Sequence, residues 1–235
     1  MGYKRIFLII LALALCLAVL ISCEAPVTAR LTRRDSGFFE DKYQNEPAPP
    51  PKIQAVLDYL EGCVGGQYIF GAQGERITRE FVLDANERYE AYFTEGRLEY
   101  LLAIAAKCEE TQHIYPTDYA WDCSGLWWDC ANELDLYDVY TDRTAEDTYY
   151  EYCTPIKKYE LRPGDIVFLR KEGEDRVSHM GIVGRNGYVY EAASVFVGVV
   201  KKRTIERRLY TDIVRGGVLQ CEDWNMFGRP KVFED

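Results

Sequence analysis

Histidine is scarce in this sequence: 235 residues hold two, His113 and His179. The eight cysteines include no C-x-x-C pair. Zinc sites draw on clustered Cys and His, so no metal is expected, and no other pattern asks for a cofactor. Basic charge is also short, with 28 Lys and Arg against 38 Asp and Glu, a net of −10. Nucleic-acid binding wants clustered Lys and Arg, and this balance excludes it. It also excludes holding anionic lipid by charge. No apolar run reaches the ~18 residues of a spanning helix; the longest, Ile6–Ile21, has 16. No internal repeat is present. What the chain does have is 48% hydrophobic residues, enough for a real core.

Lys4 and Arg5 precede that run, and a basic start before a short apolar stretch reads as a secretory leader over residues 1–22. It ends in Leu20-Ile21-Ser22-Cys23, which resembles the bacterial lipobox. The resemblance implies cleavage before Cys23, a palmitate-type lipid on that cysteine and an envelope-anchored lipoprotein. An ordinary signal peptide or a short anchor is the plainer alternative. One acyl chain binds a membrane only marginally, so several chains on Cys23 would do the anchoring. Glu24, where an Asp would retain the protein at the inner membrane, points to the periplasmic face of the outer membrane, in a cell that has one. Export permits disulfides. Six cysteines follow Cys23: Cys63, Cys108, Cys123, Cys130, Cys153 and Cys221. Their pairing is not readable, and a free Cys123 would leave an odd number.

Residues 23–52 are charged and end in "NEPAPPPK", the composition of a stiffened tether. The domain is expected over residues 53–235. Ile53, Val56, Leu57 and Leu60 have amphipathic-helix spacing. "GGQYIFGAQG" is a Gly-rich turn holding Tyr68. Two helical patterns follow between Thr78 and Glu110, broken at "YFTEGR". A further helix is expected from Ser124 to about Leu134. Pro163-Gly164 then lead into a strand at Ile166–Leu169, and "RVSHMGIVG", "YVYEAAS" and "GVVKKRTI" read as short strands. Helices first and antiparallel strands after is an α+β pattern.

The chemistry centres on "YAWDCSGLWWDC", Tyr119 to Cys130. On a helix, Cys123 and Cys130 would lie ~10 Å apart along the axis, beyond the ~7 Å a disulfide allows between Cα atoms. An inert buried cysteine is the default. A cysteine at the start of a helix, however, meets unpaired N–H groups and the positive end of the macrodipole, which favour the reactive thiolate. Asp122 is placed to cap the helix, and Gly125 reads as room for a substrate. Trp127 and Trp128 would pack the helix, with one of them available to wall a cleft. His179 is the better base, because His113 sits in a polar loop, "ETQHIYP". Strand alternation puts Val177, His179, Gly181 and Val183 on one face, with Gly181 keeping that face open. Whether Glu191 can orient His179 depends on hairpin register. A two-residue Asn186-Gly187 turn sets Ile182 opposite Glu191 and turns His179 away. A three-residue loop, Arg185 to Gly187 with Gly187 left-handed, pairs Gly184 with Tyr188 and sets Gly181 opposite Glu191. His179 and Glu191 then become diagonal neighbours. The second register is expected.

"GQYIFG", then "DCSGL", then "LRPGDIVF", then "SHMGIVGRNGYVYEAAS" resembles the NlpC-type, papain-like cell-wall peptidase family, over roughly Ile53 to Ile205. The resemblance implies a papain-like α+β domain, Cys123 as nucleophile, His179 as base and Glu191 in the third catalytic position. Tyr68 would line the site and assist the oxyanion, with Asp122 and Ser124 beside it as oxyanion or substrate-binding residues. The substrate implied is a peptidoglycan stem peptide, cut between D-glutamate and a diamino acid at the γ-linked bond. Neither a cofactor nor a second chain is implied, and a monomer is expected. Two departures stand out. The third position is more often His, Asn or Gln, and residues 72–119 form an unusually long helical insertion between Tyr68 and Cys123. Alternatives are a wall amidase, a lipid acyltransferase or thioesterase with the same dyad, a non-catalytic wall-binding lipoprotein, and an effector acting on foreign protein.

Overall fold

The computed structural model describes residues 47–111, 114–185, 188–194, 198–203, 211–214, 217–220 and 224–234. The leader, Cys23, most of the tether, His113, Gly187 and Cys221 lie outside them. Among the described residues no helix is long and apolar enough to cross a membrane.

Helix α1, Pro51–Gly62, buries Ile53, Val56, Leu57 and Leu60. It starts two residues before the expected boundary because Pro51 occupies its first turn. Proline suits that position, where its missing N–H loses no helical bond and its φ is already helical. Strand β1, Gln67–Tyr68, follows. It pairs in parallel with β3, Tyr119–Trp121, which also pairs with β2, Gln73–Arg76. The Gly-rich turn is therefore partly strand, stitched to a segment about 50 residues on.

Helices α2, Arg79–Arg88, and α3, Glu95–Glu110, lie between β2 and β3, with Thr78 and Thr94 accepting from Phe81 N–H and Arg97 N–H as caps. Together with their flanks they enclose a core of their own, built from Ile69, Ala72, Ile77, Val82, Ala85, Leu101, Ala105 and Ala120. The helix after Cys123, α4, runs Gly125–Glu133. Trp127 and Trp128 on it are fully buried. Trp127 meets Phe233 edge-on, and Trp128 donates to Thr148 Oγ1 at 2.9 Å. Neither walls a cleft. Each removes apolar surface of order 200 Å² from water, worth roughly 5 kcal/mol.

The remaining strands include β4, Cys153–Pro155, β5, Ile166–Leu169, β6, His179–Val183, β7, Tyr188–Ser194, β8, Gly198–Arg203, and β11, Met226–Pro230. They form an antiparallel sheet in the order β4-β11-β5-β6-β7-β8. A separate hairpin pairs β9, Thr211–Val214, with β10, Gly217–Gln220. Ile166, Phe168, Met180, Ile182, Tyr190 and Ala192 pack into the main core with α1 and α4. Val167, Leu169, Val183 and Val189 form a smaller cluster with Trp224. Val177 precedes the strand and packs into the main core, so the expected alternation begins only at His179. The α+β class and papain-like arrangement expected from the sequence are the fold seen. Five described cysteines, Cys63, Cys108, Cys123, Cys130 and Cys153, are free thiols.

Gly125 has a different reason from the one expected. A Cβ there would run into the Ala72 carbonyl oxygen, which also accepts from Asp122 N–H at 2.8 Å. The space is filled by backbone and is not left for substrate. Gly125→Ala should therefore lower unfolding free energy by about 3 kcal/mol, measured by urea denaturation, with Ser124→Ala costing less.

Candidate active site

Asp122 precedes the nucleophile candidate and organises its surroundings. Its carboxylate accepts from Gly125 N–H at 2.7 Å, Gly71 N–H at 2.9 Å and Ser124 Oγ–H at 3.1 Å. Burial pushes its carboxyl above the ordinary value, against the opposite pull of these three bonds. The first bond caps α4. The second ties the turn after β1 to the same point. Cys123 sits just before the helix, whose positive end is already answered by this carboxylate. Macrodipole effects are worth ~0.3–1 kcal/mol at most exposed sites, so the cation that matters to Cys123 is its other neighbour, His179.

His179 opens β6, and the register is the expected one. Gly184 N–H donates to Tyr188 C=O at 2.8 Å, and Ile182 pairs with Tyr190. Gly181 therefore faces Glu191. Val189, the Tyr190 carbonyl and the Glu191 Cβ already occupy the space a Gly181 side chain would take. That glycine admits Glu191 and its strand; it does not leave the face open. His179 Nε2 lies 2.8 Å from Glu191 Oε2, with both side chains buried. Cys123 lies close enough to the imidazole to act on its protonation. Burial works to lower the His179 pKa, but the hydrogen bonds to Cys123 and Glu191 outweigh it and raise the value above 6.5. Next along β7, Tyr190 donates from its hydroxyl to Glu61 Oε2 at 2.6 Å, tying the strand to α1.

Trp224 was not anticipated. Its ring stacks on the imidazole at 5.3 Å between centroids and 14° between planes, and the residue is only 8% exposed. Asn225 holds it there by donating N–H to the Phe168 carbonyl at 3.1 Å and accepting from Arg170 N–H at 3.0 Å. A tryptophan in "CEDWNMF" has no spacing rule linking it to a histidine 45 residues earlier.

Tyr68 is brought toward Cys123 by the β1–β3 pairing, which sets it beside Trp121. Arg97 on α3 donates from Nη2 to the Tyr68 carbonyl at 2.9 Å and reaches Gln67 Oε1 at 3.4 Å. Burial lowers its pKa to about 10. The insertion thus grips the strand that carries Tyr68, a link only tertiary structure reveals. Asp129 fastens the other side of the site, accepting from Tyr59 Oη–H and Trp121 Nε1–H, both at 2.6 Å. The polar groups of Asp122 and Ser124 turn inward to each other and to α4. Asp122 accepts from three protein donors and the Ser124 hydroxyl donates to Asp122. Among the described residues the backbone N–H groups of Cys123 and Ser124 have no partner, so both are available as donors.

Comparison with known proteins follows the same residues. Residues 110–214 match the model of the NlpC/P60 family, a span that contains Cys123, His179 and Glu191 and omits Tyr68. Murein DD-endopeptidase MepH of Escherichia coli K12 is 37% identical over 67 residues, 28% of this chain and 24% of that protein. The chain thus spans about a quarter of that curated relative. Among solved structures, NlpC1 from Trichomonas vaginalis is 18% identical with a TM-score of 0.41, covering 76% of this chain and 45% of that one. The P60 domain of an M. avium subspecies paratuberculosis antigen is 16% identical with a TM-score of 0.41, covering 78% and 96%.

The raised His179 pKa has a sign that can be checked. Its stabilisation is fully present below the unfolded value of 6.5 and is lost as pH rises through the higher folded value. Glu191→Gln should move the His179 titration, read from ring 15N shifts, down toward 6.5. It should cost about 2 kcal/mol in acid, a deficit that shrinks as pH rises through the wild-type value.

Proposed function

Because residues 110–214 match the NlpC/P60 family model, we propose that this chain is a cysteine peptidase hydrolysing an amide bond in peptidoglycan stem peptides. The observation that carries the reading is the buried His179 imidazole, bonded to Glu191 and adjacent to Cys123, inside the matched span.

The Cys123 thiolate attacks the amide carbonyl carbon while His179 stands as imidazolium, held by Glu191. The oxyanion is met by the N–H groups of Cys123 and Ser124, with Tyr68 beside them. As the C–N bond breaks, His179 gives its proton to the leaving amine, and a thioester remains on Cys123. His179 then takes a proton from water, which attacks the thioester and releases the carboxylic acid. Cys123 departs as thiolate, and His179 regains its charge.

The scissile bond in this reading is the γ-linkage from D-glutamate to a diamino acid, by family resemblance. A second reading, a D,D-peptide bond, is favoured by the similarity to a murein DD-endopeptidase. The envelope location rests on "LISC" before Glu24: Cys23 carries the lipid, and in a cell with an outer membrane its periplasmic face is the anchor's place. Labelled palmitate should enter the full-length protein in cells and be absent from Cys23→Ala; equal labelling of the two would sink the anchor.

Full-length protein incubated with purified muropeptides should release fragments whose masses name the bond, and Cys123→Ala should reduce the rate by at least ~10³-fold. Cleavage that survives this substitution would overturn the mechanism. Absence of any cut, with selective labelling of Cys123 by a thiol probe, would move the substrate elsewhere.

A further inference from the structure

The insertion does more than brace β1. Two residues past Tyr68, Phe70 stacks flat on Tyr92, with ring centroids 4.0 Å apart and planes 7° from parallel. Tyr89 meets Phe70 edge-on at 5.1 Å and covers Gly71, whose φ of +80° leaves no room for a side chain against that ring. Tyr92 ends a 3-10 turn closed by Tyr92 N–H to the Tyr89 carbonyl at 2.8 Å. With Phe70 against one face, its residue is still 47% exposed. The Phe70 stack holds one face of the ring while the residue stays open to solvent. Such an arrangement binds without an ordering cost, since the tyrosine is already immobilised.

Its place is set by the Gly71 N–H bond to Asp122. Along the path Cys123, Asp122, Gly71, Phe70, the two ends are no more than roughly 13 Å apart between Cα atoms. In a stem peptide cut after D-glutamate, the sugar lies two residues and a short linker away on the acyl side. That distance is roughly 10 Å, of the same order as the path from Cys123 to the backbone that carries Phe70. A chair-form pyranose offers a face of C–H groups that packs on an aromatic ring, with hydroxyl and amide groups at its edge. Tyrosine, apolar in body and polar at its tip, suits such a ligand. The ligand needs no charge, which fits a protein whose net charge is −10.

We propose that Phe70 and Tyr92 form a saccharide subsite, in which the exposed Tyr92 ring takes the N-acetylated amino sugar bearing the stem peptide. The inference rests on the stem-peptide reading above. Through this ring the insertion selects peptide still attached to glycan over free peptide. Binding energy from this remote contact is available to orient the scissile bond.

The test compares a disaccharide-bearing stem peptide with the same peptide lacking sugar, using the full-length protein, Tyr92→Ala and Tyr92→Phe. Wild type should favour the sugar-bearing substrate by about tenfold in kcat/KM. Tyr92→Ala should bring that ratio close to one, mainly through KM, while the sugar-free peptide is cut at the wild-type rate. Tyr92→Phe should retain the preference. Equal rates on the two substrates in wild type, or equal slowing of both in Tyr92→Ala, would overturn the subsite and leave the hydrolase intact. If neither peptide is cut, the stem-peptide reading fails on its own. Saturation-transfer NMR with the disaccharide alone then decides: transfer lost in Tyr92→Ala upholds the subsite, and no transfer to wild type overturns it.

Discussion

Asp122 accepts from Gly71 N–H, Gly125 N–H and the Ser124 hydroxyl, and the surroundings of Cys123 are assembled outward from those three bonds. One leads into α4 and the buried tryptophans. Another leads into the turn after β1, hence to Tyr68 on one side and to the insertion on the other. A buried carboxylate must find donors or lose its charge, and here the donors are backbone groups of elements distant in sequence. The requirement of one side chain therefore sets where two elements meet. The contact of Gly125 with the Ala72 carbonyl fixes how closely they do so.

The His179–Glu191 pair is organised differently. His179 and Glu191 are neighbours through sheet register, so their meeting follows from the length of one hairpin loop. A two-residue turn would have separated them. The hydrogen bond from Gly184 to Tyr188 is the sign that the longer loop is used. Trp224 completes the enclosure by covering one face of the imidazole, so that His179 keeps its polar partners along the ring edge and apolar carbon above it.

These differences explain what was legible in the sequence. The amphipathic spacing of Ile53 to Leu60, the apolar run at Ile166–Leu169 and the choice between two registers are local matters, where periodicity and turn chemistry act over a few residues. Three other features join distant segments. The pairing of Tyr68 with Trp121, the stacking of Trp224 on His179 and the reach of Arg97 to the Tyr68 carbonyl leave no short-range signature. Gly125 and Gly181 show the same limit from another side. A glycine announces that something comes close, and only the folded chain says whether that is a ligand or, as at both positions here, the protein's own atoms. The early start of α1 is a smaller case: a proline run reads as a breaker, yet its last member is a favoured first residue of a helix.

Strands β1 and β3 lie side by side although about 50 residues separate them, and those residues carry their own apolar centre. The entropy of closing a flexible loop rises only with the logarithm of its length, about 0.6 kcal/mol for each doubling. Once the two strands are paired, then, the chain beyond Ala72 can change length at little entropic cost. The register that joins His179 to Glu191, written in a different sheet, would not feel the change. Such a seam is where a lineage can replace one module with the Cys123, His179 and Glu191 cluster left alone.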